Sequence, residues 1–367
     1  MTAVIPAHER ALLQLLRAGI YDDASALEGF PCLSASDWNQ LYAQSKRQTV
    51  SGVLYHALSM LPDSLLPPYS LLLHWVARAH RIETAYVRMT AALRSLSDTF
   101  AHSGIVPVLE KGHAVARFYP RPELRVCGDI DLCFLNDDRQ RADSLIAGRG
   151  ISLRHAPDGS RRYEWDGIEV EHHSSLMRLH SPVRQAALSR ILSESATTRV
   201  CVAPGLEATV LVPLAELLMI NIHIMKHCIG SGIGLRHFCD YALAFRNLIP
   251  GIGFDKYQKA CRDLGLTKWT DTLHRFINIY LGDSRSPMPA MRNRPVAGAV
   301  EKLYAMVIEG GNFGLFRHAD TSDSHTSVWR RKFGTFSAFI RHSGISMRIA
   351  PAESLCLMMR LIRGQVH

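Results

Sequence analysis

Gly-Ile-Val-Pro-Val-Leu-Glu-Lys-Gly-His runs from Gly104 to His113, and Leu-Arg-Val-Cys-Gly-Asp-Ile-Asp-Leu from Leu124 to Leu132. The first stretch reads as a buried strand, Ile105 to Leu109, that ends in a Lys111-Gly112 turn. The second leads into a strand, Asp129 to Leu135, in which acidic and apolar residues alternate. Side chains two apart share one face of a strand, so Asp129 and Asp131 project together while Ile130 and Leu132 point the other way. Two neighbouring carboxylates repel, and a cation between them offsets the repulsion. Hard oxygen ligands suit Mg²⁺, which takes one or two protein carboxylates and fills its remaining positions with water and phosphate oxygens. Mn²⁺ is the other candidate. The pattern points to phosphoryl or nucleotidyl transfer.

A third acid is available about forty residues on. Tyr163 to His173 reads as a hairpin with Asp166-Gly167 at its turn,. On its second strand Glu169, Glu171 and His173 share a face, so Glu171 or Glu169 joins the pair if that strand lies beside Asp129. The bland alternatives are alternating acids on an exposed strand edge and a solvent-facing Glu171.

These residues resemble the polymerase-beta-like nucleotidyltransferase superfamily, within it the branch known as nucleotidyltransferase family proteins. The resemblance rests on Leu109-Glu110-Lys111-Gly112, Tyr119-Pro120 with Leu124-Arg125, Gly128-Asp129-Ile130-Asp131-Leu132 and Val170-Glu171-His172-His173. It continues in a helical segment with His223, Lys226-His227, Gly232 to Arg236, and Asp240, and covers residues 100 to 245. It implies metal-dependent transfer of a nucleoside monophosphate from a nucleoside triphosphate such as ATP to a hydroxyl-bearing acceptor, with release of pyrophosphate. Asp129, Asp131 and Glu171 are then the catalytic and metal-holding acids, and Lys111, Gly112, Arg125, Lys226 and Arg236 the nucleotide-facing residues. Much of the superfamily has two small residues in the first turn, where this chain has Lys111-Gly112. Gly112 still lets a helix N-terminus approach phosphate, and Lys111 adds a point charge.

The remaining sequence reads as scaffold. At 367 residues the chain is long enough for two or three units with substantial cores,. A hydrophobic fraction of 47% with a mean hydropathy of zero indicates an ordered chain, neither disordered nor membrane-spanning,. The net charge of +9 leans toward anionic partners,. Eight cysteines without a Cys-x-x-Cys pair read as reduced thiols of a cytoplasmic protein,, and no signal peptide is visible. The expected architecture is α/β, mostly helical. Residues 1–103 form helices, among them His8 to Ala18, stopped by Gly19, and a long one from Tyr69 to His102 capped by Gly104. Residues 104–180 form a small mixed-sheet core, with a helix starting at Asn136-Asp137-Asp138. Residues 181–367 are helical again, apart from a short strand or hairpin around Thr198 to Val212.

Several groups have two readings. Arg125 either meets phosphate or holds an acid of the site. Arg236 and Asp240, four apart, can pair with each other. His223 and His227 have the spacing of a zinc pair but lack the glutamate that the protease motif requires. The basic residues Arg330-Arg331-Lys332, Arg341, Arg348, Arg360 and Arg363 read as a solvated face or as a tract for RNA or a membrane surface. The acceptor (small molecule, glycan precursor, protein or RNA) and the oligomeric state are not encoded in these patterns. A nucleotide-binding protein without catalysis, or an RNA- or protein-binding scaffold, are the competing classes.

Overall fold

The computed structural model describes residues 5–134, 138–156, 159–193, 197–230, 232–283, 286–292, 294–311 and 344–362. Its N-terminal part is helical: α1 (Ala7–Tyr21), α2 (Ala35–Arg47), α3 (Ser51–Leu58) and α4 (Tyr69–His102). Ser34 and Asp37 open α2 with a capping box, each side chain accepting the other's backbone N–H, which satisfies two groups that a first helical turn leaves free. α4 has the expected bounds, and Gly104, at φ +64°, ends it while Ile105 N–H bonds back to Phe100,. α1 departs from expectation by continuing through Gly19. That glycine serves close packing: a Cβ there would lie 2.4 Å from the Val53 carbonyl oxygen of α3.

Among the described residues seven strands form one sheet: β1 (Val108–Leu109), β2 (Ile130–Cys133), β3 (Arg154–His155), β4 (Arg161–Trp165), β5 (Ile168–His173), β6 (Thr197–Ala203) and β7 (Leu206–Leu211). Their order is β3-β4-β5-β2-β1-β7-β6. β2 runs parallel to β5, and β1 is antiparallel to β2 and parallel to β7, so the sheet is mixed. β1 is shorter than the expected Ile105 to Leu109 because Ile105 N–H belongs to the helix cap and Pro107 has none to give,. β2 starts one residue after Asp129, and Leu135, its expected end, lies outside the described residues. Asp166 and Gly167 turn the β4–β5 hairpin with φ of 51° and 75°, the left-handed pair that a tight hairpin of this kind needs. The β6–β7 hairpin, expected among the C-terminal helices, extends the sheet instead.

The sheet separates two cores. On one face Leu109, Ile130, Leu132, Val170 and Val210 pack with Met89, Leu93, Leu96 and Phe100 of α4 and with α6 (Asp138–Ala147). Of the expected helix start at Asn136-Asp137-Asp138, only Asp138 is among the described residues. On the other face Val108, Cys133 and Leu211 belong to a larger core shared by α1 to α3 and the C-terminal helices. These include α8 (Pro213–Gly230), α9 (Leu235–Ile252), α10 (Phe254–Asp263), α11 (Thr267–Tyr280) and α12 (Ala299–Gly310). α4 reaches both cores, Leu71 and Trp75 in one and Met89 to Phe100 in the other, over about 50 Å at 1.5 Å per residue. α5 (His113–Ala116) follows β1, α7 (Pro182–Ser193) follows β5, and α13 (Pro351–Ile362) closes the described chain. Among the described residues no helix is long and apolar enough to cross a membrane.

Candidate active site

The sheet's register builds the site. Asp131 of β2 stands opposite Glu171 of β5, and Cys133 opposite His173. On the other side of β2, Glu110 N–H bonds to the Asp131 carbonyl, one residue past the Leu109–Leu132 pair. Paired residues share a face, so Glu110, Asp131 and Glu171 form a row of acids across three adjacent strands. All three are buried, at 3%, 4% and 6% exposure. Asp129 is half-buried, one residue before β2. Glu169 is 45% exposed and meets Arg162 at 3.6 Å, whereas Glu171 accepts from Arg162 at 2.8 Å. Of the two rival glutamates, Glu171 is therefore the one beside Asp131.

Asp131 is the electrostatic centre. Its Oδ1 accepts from Lys111 Nζ at 3.1 Å and from His173 Nε2 at 2.8 Å. Burial works against its charge, but Lys111 and His173 hold its carboxyl well below the usual carboxylate range. Its neighbours shift the opposite way. Burial and then the Asp131 charge raise both Asp129 and Glu171. Burial pushes Glu110 up to about 7 in spite of Lys111 and His173, and Glu110 Oε1 is buried with no hydrogen-bond partner. Glu110, Asp131 and His173 offer ligand atoms that all lie within 4.8 Å of one another, a group able to hold a metal ion.

Asp129, Asp131, Lys111 and Gly112 line a cavity of about 300 Å³, closed on its far side by α8 and α9 through Met219, Ile220, His223, Arg236 and His237. Gly112 has φ +57°, a conformation that L side chains rarely adopt. The helix it opens, α5, has only four residues. Arg125 and Arg236 both line the cavity but are engaged differently. Arg125 is buried and bidentate to Asp240, with both N–O distances 2.7 Å, and Tyr119 Oη donates to the same carboxylate at 2.7 Å. Of the two readings, Asp240 pairs with Arg125 and not with Arg236, four residues away. Arg236 donates to the Val126 carbonyl at 2.8 Å, and its buried Nε has no partner.

His223 and His227 are joined by His237 in a cluster with ring centroids 4.4, 5.7 and 5.9 Å apart. Burial lowers all three, His227 to about 3, with Lys111 or Arg236 adding to the effect. His223 and His237 of the cluster line the cavity. Lys226 is half-buried on α8 and is not among the residues lining the cavity. Of the basic tract, Arg348 and Arg360 are exposed, while Arg330, Arg331, Lys332, Arg341 and Arg363 lie outside the described residues. A larger cavity of about 440 Å³ lies between α9 and α11, where Arg246 and Asp283 pair at 3.4 Å.

Sequence reasoning missed Glu110 as a member of the site, and also Arg162 and His237. For Glu110 the sequence carries no local signal: its place in the site follows from the pairing of β1 with β2.

The model of a family described as an uncharacterised nucleotidyltransferase matches residues 34–282, well over half of the chain and the whole of the site. Comparison with curated proteins and with solved structures returns no match.

Proposed function

The chain belongs to this nucleotidyltransferase family, and from that premise we propose that it transfers a nucleoside monophosphate from a nucleoside triphosphate to a hydroxyl-bearing acceptor, releasing pyrophosphate. One observation carries the reading. Asp129 and Asp131 line a cavity that is also lined by Arg236, a cation with a buried N–H that has no acceptor. An unsatisfied buried donor is costly, and a phosphate oxygen in the cavity supplies the missing acceptor.

The donor set fits a divalent cation. Asp129 and Glu171 are raised by burial and by Asp131, a repulsion that a cation relieves. Asp129, Asp131 and Glu171 are the residues that would hold it, and Mg²⁺ or Mn²⁺ would suit three oxygen donors. When bound, such ions stabilise the charge on the attacking and leaving oxygens of an in-line displacement. The chain's own groups do the rest. Gly112 lets the backbone approach the phosphates, Arg236 and Lys111 neutralise them, and Ile220, Met219, His223 and His237 keep water from the nucleoside. Arg125 holds Asp240 and thereby fixes the start of α9, which carries Arg236. Arg162 orients Glu171.

The Lys111–Asp131 ion pair also favours a second reading, nucleotide binding without transfer, because Lys111 Nζ already has a carboxylate partner. Pyrophosphate release with each of the four nucleoside triphosphates, with Mg²⁺ or Mn²⁺ and a panel of acceptors, separates the two. Release that requires metal and disappears in Asp129→Asn supports transfer. Metal-dependent binding with no release from any acceptor leaves the binding-only reading.

A further inference from the structure

We propose that Glu110, Asp131 and His173 form a second cation site, selective for a transition-type divalent ion such as Mn²⁺ or Zn²⁺ over Mg²⁺ and filled without nucleotide. Three observations converge on it. The ligand atoms of these residues lie within 4.8 Å of one another. Glu110 is 97% buried by its 3% exposure, and its Oε1 has no hydrogen-bond partner, so a buried acceptor there lacks a donor. The set also includes an imidazole nitrogen, His173 Nε2.

The ligand set and the burial decide the ion. Mg²⁺ prefers oxygen ligands and keeps several waters, whereas imidazole together with carboxylates suits Mn²⁺, Fe²⁺ and Zn²⁺. With Glu110 and Asp131 both buried and the His173 side chain only 19% exposed, little room is left for a hydrated ion. His173 Nε2 now meets Asp131 Oδ1 at 2.8 Å, so it turns from that carboxylate to the ion with a small displacement. Glu171 is 3.6 Å from His173 but is held by Arg162 and is not among the three residues whose ligand atoms converge. Asp131 is shared with the acids proposed to hold the nucleotide's metal, but Asp129 and Glu171 are not ligands here. The second site does not depend on the chain transferring nucleotides.

The test is a Mn²⁺ titration followed by electron paramagnetic resonance on the full chain, without nucleotide. The expected result is one bound Mn²⁺ that a roughly hundredfold excess of Mg²⁺ does not displace. Glu110→Gln and His173→Gln each weaken it by about tenfold or more, while Asp129→Asn binds as the wild type does. Circular dichroism establishes that each variant is folded, and His173→Gln, at a less buried position than Glu110, serves if Glu110→Gln is not. Absence of a bound ion in the wild type, or equal binding in Glu110→Gln and His173→Gln, overturns the proposal. Equal loss in Asp129→Asn overturns it as well, because the ion then belongs to the Asp129 set. Failure of nucleotidyl transfer with this pattern intact refutes only the transfer reading.

Discussion

Asp131 and Glu171 stand directly opposite each other in the parallel ladder of β2 and β5, each with its own cation, Lys111 at 3.1 Å and Arg162 at 2.8 Å. The arrangement distinguishes Glu171 from Glu169, whose side chain is 45% exposed. Asp131→Asn and Glu171→Gln are expected to lower metal-dependent pyrophosphate release by on the order of 100-fold or more, and Glu169→Gln by less than about threefold. Steady-state assays of the three purified variants check this, and a reversed order of Glu169 and Glu171 refutes the assignment.

Arg125 and Asp240 form a buried bidentate pair that also takes the Tyr119 hydroxyl. Removing one partner strands a buried charge, so Arg125→Met or Asp240→Leu alone is expected to cost about 3–5 kcal/mol, and the double variant less than the sum. Urea denaturation of the two single variants and the double variant measures the coupling. Additive losses would mean that the pair does not act as a unit.

Arg236 contrasts with Arg125, since its Nε is buried without a partner. Arg236→Met should therefore leave the melting temperature of the free chain unchanged or raised. The rise in melting temperature produced by nucleoside triphosphate with metal should shrink or vanish. A large loss of intrinsic stability, with the nucleotide effect retained, would make Arg236 a structural residue.

Gly52 of α3 lies against the segment that leads to Arg125, because a Cβ there would sit 2.1 Å from the Leu124 carbonyl oxygen. Gly52→Ala forces the backbone apart and is expected to destabilise by about 1–3 kcal/mol or more. Nucleotide binding should weaken with it, as the loop carrying Arg125 moves. Denaturant midpoints and nucleotide titrations on the same variant report the two effects.

His113 and His274 are both lowered to about 4, chiefly by burial. His274 bonds to the Tyr241 hydroxyl and the Pro289 carbonyl, and His113 to Thr90. Between about 4 and the ordinary 6.5 the unfolded chain binds protons at these positions that the folded chain does not. Stability contributed here is full above about pH 6.5 and falls as the pH drops toward 4, by on the order of 3 kcal/mol for each histidine. Urea midpoints at about pH 7 and about pH 5 should show the fall, and His274→Gln should reduce it.

How far the molecule was legible in its sequence follows from the range of the contacts. Asp129 and Asp131 could be placed on one side of a strand because the period of two is local, and the bounds of α4 followed from a continuous pattern and a glycine cap. Asp166-Gly167 marked its own hairpin. Glu110 was not legible, because a two-residue strand has no alternation to read and an acid beside Lys111 looks like a strand end. Its membership appears only when β1 pairs with β2. Arg125 and Asp240 are 115 residues apart, and the four-residue spacing of Arg236 and Asp240 pointed to the wrong partner. Gly19 looked like a helix stop, whereas it is a point of contact between two helices.

Val108 of β1 pairs with Thr209 of β7, and this bears on how the protein is made. During synthesis the first five strands leave the ribosome well before β7, so the outer edge of β1 carries unpaired N–H and C=O groups while translation continues. Such an edge is open to pairing with another chain. The interval ends only when Leu206 to Leu211 arrive to cover it, and the strand that supplies Glu110 is among the last to be enclosed. A chain that stops between β5 and β7 lacks the strand that covers β1, and its sheet is left open to aggregation,.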